Sequence, residues 1–374
     1  MAVLKHIFTK YYFIYGAMKN VRYQLFKRSL AFSFEAKTSR GAIQTHDAYL
    51  IKASTPKGII GWGEASPLKG LSIDATPQFE NLLKEIISNL NQGIDARELD
   101  LSKLPSVRFA LETVHLDVAN GGQMRLFNST FLQGTPQYMN GLVWMNTPQH
   151  MLEEAILKAQ AGYDCIKFKI GAHEHDEECR MLEQFRKKFN ANKVQIRLDA
   201  NGAFLPDEAL PKLKDLHAFT IHSIEQPIAP KQMEAMQEIC AKSPINIALD
   251  EELIGLNPNT DAGNLLAKTG AHFLILKPTL LGGLAAAEDW IKQTQKYNRQ
   301  WWATSALESN IGLNAIAQWT ATQNNPLPQG LGTGALYSNN FETPLLAEKG
   351  YLYYIATKNW TLPEEKEELI VHLS

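Results

Sequence analysis

What this 374-residue chain has little of narrows its function first. It holds three cysteines, Cys165, Cys179 and Cys240, which are far apart, odd in number and without a C-x-x-C pair. They read as reduced thiols of a cytoplasmic protein, not as a disulfide framework. No charge of one sign dominates: 37 Lys and Arg face 39 Asp and Glu, for a net charge of −2. That leaves no basic field for nucleic acid or for an anionic membrane. A long unbroken apolar run is missing too. AVLKHIFTKYYFIYGA, near the N-terminus, is interrupted by Lys5, His6 and Lys10. It is too short to span a bilayer and carries no small-x-small cleavage signal. Residues 1–17 read either as an extension ahead of Met18 or as an extra edge strand. The remaining composition, 45% hydrophobic and 20% charged, is that of a soluble globular protein, and the length suits one large domain with a smaller one.

What is present is organised around the stretch from Lys167 to Lys277. It contains CIKFKIG, QIRLDANG, HSIEQP, NIALDEE and FLILKP, each a short apolar run that ends in charge. Lys169, Asp199, Glu225, Asp250 and Lys277 follow one another at intervals of 30, 26, 25 and 27 residues. Such an interval fits one strand, one helix and two loops, the βα repeat. Continuous apolar runs are what parallel strands buried on both faces look like. A charge at the last position cannot stay unpaired in the core, so it emerges at the strand's C-terminal end, the rim on which (β/α) barrels build active sites.

Strand candidates fall at 140–145, 164–170, 194–199, 221–225, 246–250, 273–277, 300–304 and 329–332. Helical patterns lie between them at 148–161, 176–189, 207–216, 231–241, 260–269, 283–297 and 310–322. This alternation predicts a closed barrel and not an open doubly wound sheet, because an open sheet would gather its ligands at one switch point. Ahead of it, residues 21–34, 47–54 and 58–68 read as an antiparallel meander, with a polar loop, AKTSRGAIQTHD, after the first strand. Helices over 76–90 and 106–119 follow. The expected organisation is α/β: a (β/α) TIM-type barrel over 121–333, and an α+β capping domain formed by 18–120 and completed by the C-terminal tail, 334–374.

Asp199, Glu225 and Asp250 would stand side by side at the rim. Carboxylates this close raise each other's pKa unless a cation sits among them. An all-oxygen set suits Mg²⁺; Zn²⁺ fits less well, since no His or Cys ends a strand. The plainer alternative is pairing with Lys or Arg across the barrel top. Lys167 and Lys169 point to the same side of their strand, and Lys277 ends a strand across the ring. A lysine near a second cation and a divalent metal has a lowered pKa and can act as a base. The implied chemistry is proton abstraction α to a carboxylate, so the expected partner is a small-molecule carboxylate substrate.

KFK, LDAN, IEQP, LDEE and LKP resemble the enolase superfamily, muconate-cycloisomerase branch, and the likeness runs from about Thr38 to about Ser338. Within that branch TSRG, GWGEASPL, RFALE, SALESNIG and GLGTGALY resemble the o-succinylbenzoate synthase family of menaquinone biosynthesis. The resemblance implies a modified barrel under the cap, with Asp199, Glu225 and Asp250 as ligands of Mg²⁺, or of Mn²⁺ in its place. It implies Lys169 as the base, Lys277 as a cation facing the substrate ring, and Lys167 and Asn201 as supporting contacts. Cap residues 38–41 and 66–70 would close over the substrate. The implied activity is that of a lyase, which dehydrates 2-succinyl-6-hydroxy-2,4-cyclohexadiene-1-carboxylate to o-succinylbenzoate through a metal-held enediolate.

Two rival activities use the same scaffold: N-acylamino-acid racemisation and dipeptide epimerisation. Relatives with the latter usually carry Asp-x-Asp after the last strand, where this chain has Gly332-Thr333-Gly334. A non-catalytic relative should have lost a ligand or a lysine, and none is lost here. Arg40, in the polar stretch, suits a substrate carboxylate through its planar fork. GLGTG reads as a carboxylate-binding turn built on Gly332 and Thr333. Ser305 and Glu308 read as substrate contacts or, equally, as a helix cap with an inward acid. Glu251 reads as a support behind Asp250, HEHDEEC as acids at a helix N-terminus, and Trp301 and Trp302 as packing.

Overall fold

The computed structural model describes residues 20–38, 41–363 and 369–371. Arg40 and the segment 1–17 lie outside the described residues. Strands β1 (Arg22–Thr38), β2 (Gly41–Ser54) and β3 (Ile60–Ala65) form an antiparallel sheet, and β14 (Leu369–Val371) pairs with β1 on its free side. The pairing of β1 with β2 continues to Thr38 opposite Gly41, with an irregularity between Ala31 and Ala36. The expected polar loop at 36–47 is therefore a long hairpin arm. A ladder needs only backbone partners, and here polar composition marks a strand with one wet face: Thr45 is exposed while His46 is buried.

Helices α1 (Phe79–Asn91) and α2 (Pro105–Ala119) cover one face of this sheet. Nearly every side chain of α2 is buried, because it is wedged between the sheet and the barrel. Glu112 marks the docking point. Its Oε2 accepts hydrogen bonds from the backbone N–H groups of Leu284 and Ala285, at the N-terminus of a barrel helix, where a negative charge is favoured. Glu64 of β3 does the same at a second helix, accepting from the N–H groups of Ser309 and Gly312 at 2.7 Å each.

The barrel has seven parallel strands in sequential order: β5 (Gly141–Val143), β6 (Cys165–Lys169), β7 (Gln195–Asp199), β8 (Ile221–Glu225), β9 (Asn246–Leu249), β10 (Phe273–Leu276) and β11 (Gln300–Ala303). Helices α3 (Pro148–Gln160), α4 (His175–Lys188), α5 (Pro206–His217), α6 (Met233–Lys242) and α7 (Ala262–Thr269) occupy the crossovers up to β10. The short α8 (Pro278–Leu281) and α9 (Leu284–Lys296) fill the next, and α10 (Asn310–Thr322) follows β11. The expected eighth strand, 329–332, shrinks to two bridges. Gln329 pairs with Met139 ahead of β5, and Gly330 pairs with Thr304 behind β11, both parallel. Those bridges join the two edges and close the ring. Pro326 and Pro328 offer no N–H for a longer ladder. Gly330 must be glycine, since a Cβ there would lie 2.2 Å from Thr304 Oγ1.

Inside the ring, Arg197 of β7 is wholly buried. It lies 3.8 Å above the Trp302 ring and donates to Pro328 O at 2.7 Å, which fixes the chain just before the closing bridges. The tail divides. Ser338 N donates to Ala31 O, next to the first strand's bridge with Tyr337. In contrast, β12 (Leu345–Glu348) and β13 (Tyr351–Tyr354) form a hairpin on β4 (Gln137–Tyr138), at the entry to the barrel. Among the described residues no helix is long and apolar enough to cross a membrane.

Burial pushes the Glu112 carboxyl up from 4.5 to about 7, against the pull of Arg108 and the two backbone N–H groups. The unfolded chain releases that proton near pH 4.5 and the folded chain near 7, so between them the folded state binds the extra proton. The residue's contribution to stability therefore falls as pH rises through that window. Glu112→Gln cannot ionise, so its stability relative to wild type should improve by roughly 1–3 kcal/mol between pH 5 and pH 7.5. Denaturant titrations at the two pH values measure this, and a difference independent of pH would contradict it.

Candidate active site

The ladder explains why the charged residues meet. Lys169 pairs with Asp199 and Asp199 with Glu225, so the three stand at one level of the sheet. Glu225 pairs with Ala248, and Asp250 follows two residues beyond it, at the mouth. Counting the closing segment as the eighth position, β6 and β10 are four places apart, on opposite sides of the ring. Lys169 and Lys277 thus face each other across the mouth.

All three carboxylates are buried, each 2% exposed or less. The Lys167 ammonium donates to Asp199 Oδ2 at 3.1 Å and to Glu225 Oε2 at 2.9 Å. Lys169 donates to Asp199 Oδ2 at 3.0 Å and to Asn201 Oδ1 at 2.6 Å, and its ammonium lies 5.4 Å from the Trp144 ring centroid. Lys277 is paired with Asp250. Asn201 in turn donates to Glu251 Oε1 at 3.0 Å, so Glu251 acts through Asn201 on Lys169.

Burial alone would raise Asp199, but Lys167, Lys169 and Lys277 outweigh it and hold its carboxyl below the usual range. For Asp250, burial together with Glu251 and Glu225 prevails over Lys277, and its carboxyl is raised. Burial works against the charge on Lys167 and Lys277, yet their acidic neighbours prevail, Asp199 and Glu225 for Lys167 and Asp250 and Glu225 for Lys277. Both lysines are held above their ordinary value. Each of these two ammonium groups faces carboxylates first.

The donor chemistry of the three acids fits a hard divalent cation. One atom also asks for one: Glu225 Oε1 is buried and accepts no hydrogen bond, which is costly for a carboxylate. As they stand, no three His, Cys, Asp or Glu side chains among the described residues are grouped as a ligand set. Lysine ammonium groups bridge the acids through Asp199 Oδ2, Glu225 Oε2 and Asp250 Oδ2.

A cavity of about 600 Å³ opens above the rim. Lys167, Lys169, Asp199, Asn201, Glu251 and Lys277 line its charged part, and Ser305, Gly332 and Thr333 line it as well. Its apolar lining includes Leu142, Trp144 and Leu307, and its lid is formed by 43–46 of the arm and 68–71 of the cap. Of the expected cap residues 66–70, only 68–70 line the cavity, whereas Arg40 falls outside the described residues. Glu308 does not line the cavity. It is fully buried, its Oε2 accepting from Ser305 Oγ and Ala306 N and its Oε1 from Thr279 Oγ1. Its contacts are those of an inward acid: Glu308 shapes the turn that presents Ser305, while Ser309 caps α10. Sequence reasoning missed Trp144, Leu142 and Leu307. Trp144 stands just after β5, and the rim rule applied to that strand would have found it. Nothing local marks the arm residues 43–46. Glu178 of HEHDEEC bonds back to the N–H groups of Gly171 and His173, and Trp301 and Trp302 are buried packing residues.

Residues 150–357 match the family model described as enolase C-terminal domain-like. The chain is 38% identical, over 360 residues, to the o-succinylbenzoate synthase of Desulfotalea psychrophila, an alignment that takes in 87% of this chain and 97% of that protein. The crystal structure of MenC from the same organism superposes with a TM-score of 0.79 at 35% identity, covering 90% of this chain and all of that one. The Bacillus subtilis L-Ala-D/L-Glu epimerase is 21% identical, with 82% of this chain and 86% of that protein aligned.

Proposed function

The chain belongs to the enolase superfamily, and from that premise we propose that it dehydrates 2-succinyl-6-hydroxy-2,4-cyclohexadiene-1-carboxylate to o-succinylbenzoate, as a cytoplasmic enzyme of menaquinone biosynthesis. The observation that carries this is the near full-length likeness to an o-succinylbenzoate synthase, in a chain that keeps both facing lysines and all three rim acids. The cavity wall supports the choice against dipeptide epimerisation. Gly332 and Thr333 line it, and neither supplies the negative charge that a substrate ammonium would need.

Lys169 Nζ takes the proton from the ring carbon that bears the carboxylate. Asn201 and Asp199 hold that nitrogen in place. The same ammonium then gives its proton to the departing hydroxyl, water leaves, and the ring becomes aromatic. Lys277 Nζ stays charged on the far side of the mouth, beside the ring. Lys167 lies between Asp199 and Glu225 and bridges their carboxylates. Asp199, Glu225 and Asp250 would hold Mg²⁺, or Mn²⁺. The ion would supply positive charge opposite the substrate carboxylate, which makes the neighbouring C–H more acidic. Residues 43–46 and 68–71 line the same cavity as the basic nitrogen, and their closing over the substrate would exclude water from it.

Incubation of the purified protein with the cyclohexadiene acid and Mg²⁺ should yield o-succinylbenzoate, identified by mass spectrometry, well above the spontaneous rate. Formation no faster than in buffer would overturn the assignment.

A further inference from the structure

We propose that Lys69 is a specificity-determining residue that receives the second carboxylate of the substrate, the one at the end of its succinyl chain. This rests on the dehydratase reading above. Four lysines line the cavity: Lys69, Lys167, Lys169 and Lys277. The last three are engaged by the acids of the rim. Lys69 is exposed and has no carboxylate partner among the described residues. Among the described residues it is the lysine that the lid contributes, while the others rise from strand ends. Leu68, Leu142, Trp144 and Leu307 belong to one apolar cluster and also line the cavity. The site therefore has a charged floor, apolar walls and a separate cation in its lid. A ligand with a carboxylate at one end, a hydrocarbon ring and a second carboxylate on a short chain matches that distribution. A carboxylate reaching the lid would meet Lys69 as its counter-charge, since the floor's ammonium groups are already committed.

The loop that carries Lys69 is built rather than loose. Leu71 N donates to Leu68 O at 3.0 Å, closing a turn with Lys69 and Gly70 at its centre. Gly70 has φ +80, the left-handed value such a turn requires at its third residue. Ser72 Oγ accepts from Leu68 N at 2.7 Å. Farther on, Asp74 accepts from the backbone N of Ser106 at 2.9 Å, which ties the loop to α2. On the other side Ser66 is bonded to Glu64, which also grips the N-terminus of α10. Lys69 is thus held at the tip of an anchored turn.

The test uses calorimetric binding of o-succinylbenzoate and of its methyl ester at the aliphatic carboxylate, each in Mg²⁺, to wild type, Lys69→Met and Lys69→Arg. Lys69→Met should weaken o-succinylbenzoate about fivefold, the upper end for an ion pair open to solvent, and should leave the ester unchanged. Lys69→Arg should keep most of the affinity for the diacid. The contrast should shrink as salt is raised. Equal weakening of both ligands would mean that the substitution disturbs the lid generally, and unchanged affinity for the diacid would mean that Lys69 faces solvent; either overturns the proposal. Product binding involves no turnover, so Lys69 can fail this test while dehydration stands, and dehydration can fail while the contrast remains.

Discussion

Lys169→Arg is expected to abolish measurable dehydration, while Lys277→Arg keeps a measurable fraction of it. An arginine retains the charge of a lysine but cannot surrender its proton near neutral pH. At position 169 that removes the base, a loss of roughly 10²–10⁴-fold. At position 277 the charge opposite Asp250 survives, and what it contributes to the ring is an electrostatic contact of about 0.5–2 kcal/mol. Bad fit of the larger head group can remove the second rate, since the exchange is not conservative at a tight site. Initial rates of o-succinylbenzoate formation settle the matter. Equal and complete loss in both variants, with both folded, would indicate two proton carriers on opposite faces of one carbon, the requirement of a racemase.

Chelation of divalent cations, or Asp199→Ala, Glu225→Ala or Asp250→Ala, should each lower the rate by 10²-fold or more, about the size of one lost electrostatic stabiliser in a closed site. The two treatments should part in stability. The three acids do not stand as an unrelieved cluster; Lys167 bridges Asp199 and Glu225, and Lys277 pairs with Asp250. Removing Asp199 leaves buried ammonium groups with fewer partners, so Asp199→Ala should cost about 3–5 kcal/mol. Treating the acids as mutually repelling would predict relief instead, which the interleaved lysines exclude. Chelator should remove activity without a comparable drop in denaturant midpoint, and added Mg²⁺ should restore it. Full activity in excess chelator, with metal content verified, would refute the metal assignment.

The rim was legible in the sequence because it follows from one local rule repeated. Apolar runs ending in Lys169, Asp199, Glu225 and Lys277 could only be buried strands with charged C-terminal ends, and the ladder brings them together. The closing segment was legible in place but not in form, since Gly330 answers to Thr304 and Pro328 to Arg197, partners that local pattern does not reveal. The stretch 36–47, apart from residues 39 and 40, which lie outside the described residues, was misread because its polar composition mimics a loop, whereas Ala36–Thr38 and Gly41–Ile43 pair through their backbones. Glu308 was ambiguous for a related reason. A carboxylate that serves Thr279, Ser305 and Ala306 has the same one-letter signature as one that serves a substrate. Glu112 stood out only as the last residue of RFALE, and what it does was not legible, because the helix end it meets lies 172 positions away in the chain.

The most direct test sets the two activities of this scaffold against each other in one preparation. The wild-type enzyme in D₂O with Mg²⁺ is given the cyclohexadiene acid and, separately, an N-acylamino acid. Dehydration is followed by o-succinylbenzoate formation, and α-deuterium incorporation by NMR. A dedicated dehydratase forms o-succinylbenzoate rapidly and exchanges the amino acid's α-proton far more slowly. Racemisation of the N-acylamino acid as fast as dehydration of the cyclohexadiene acid would contradict it.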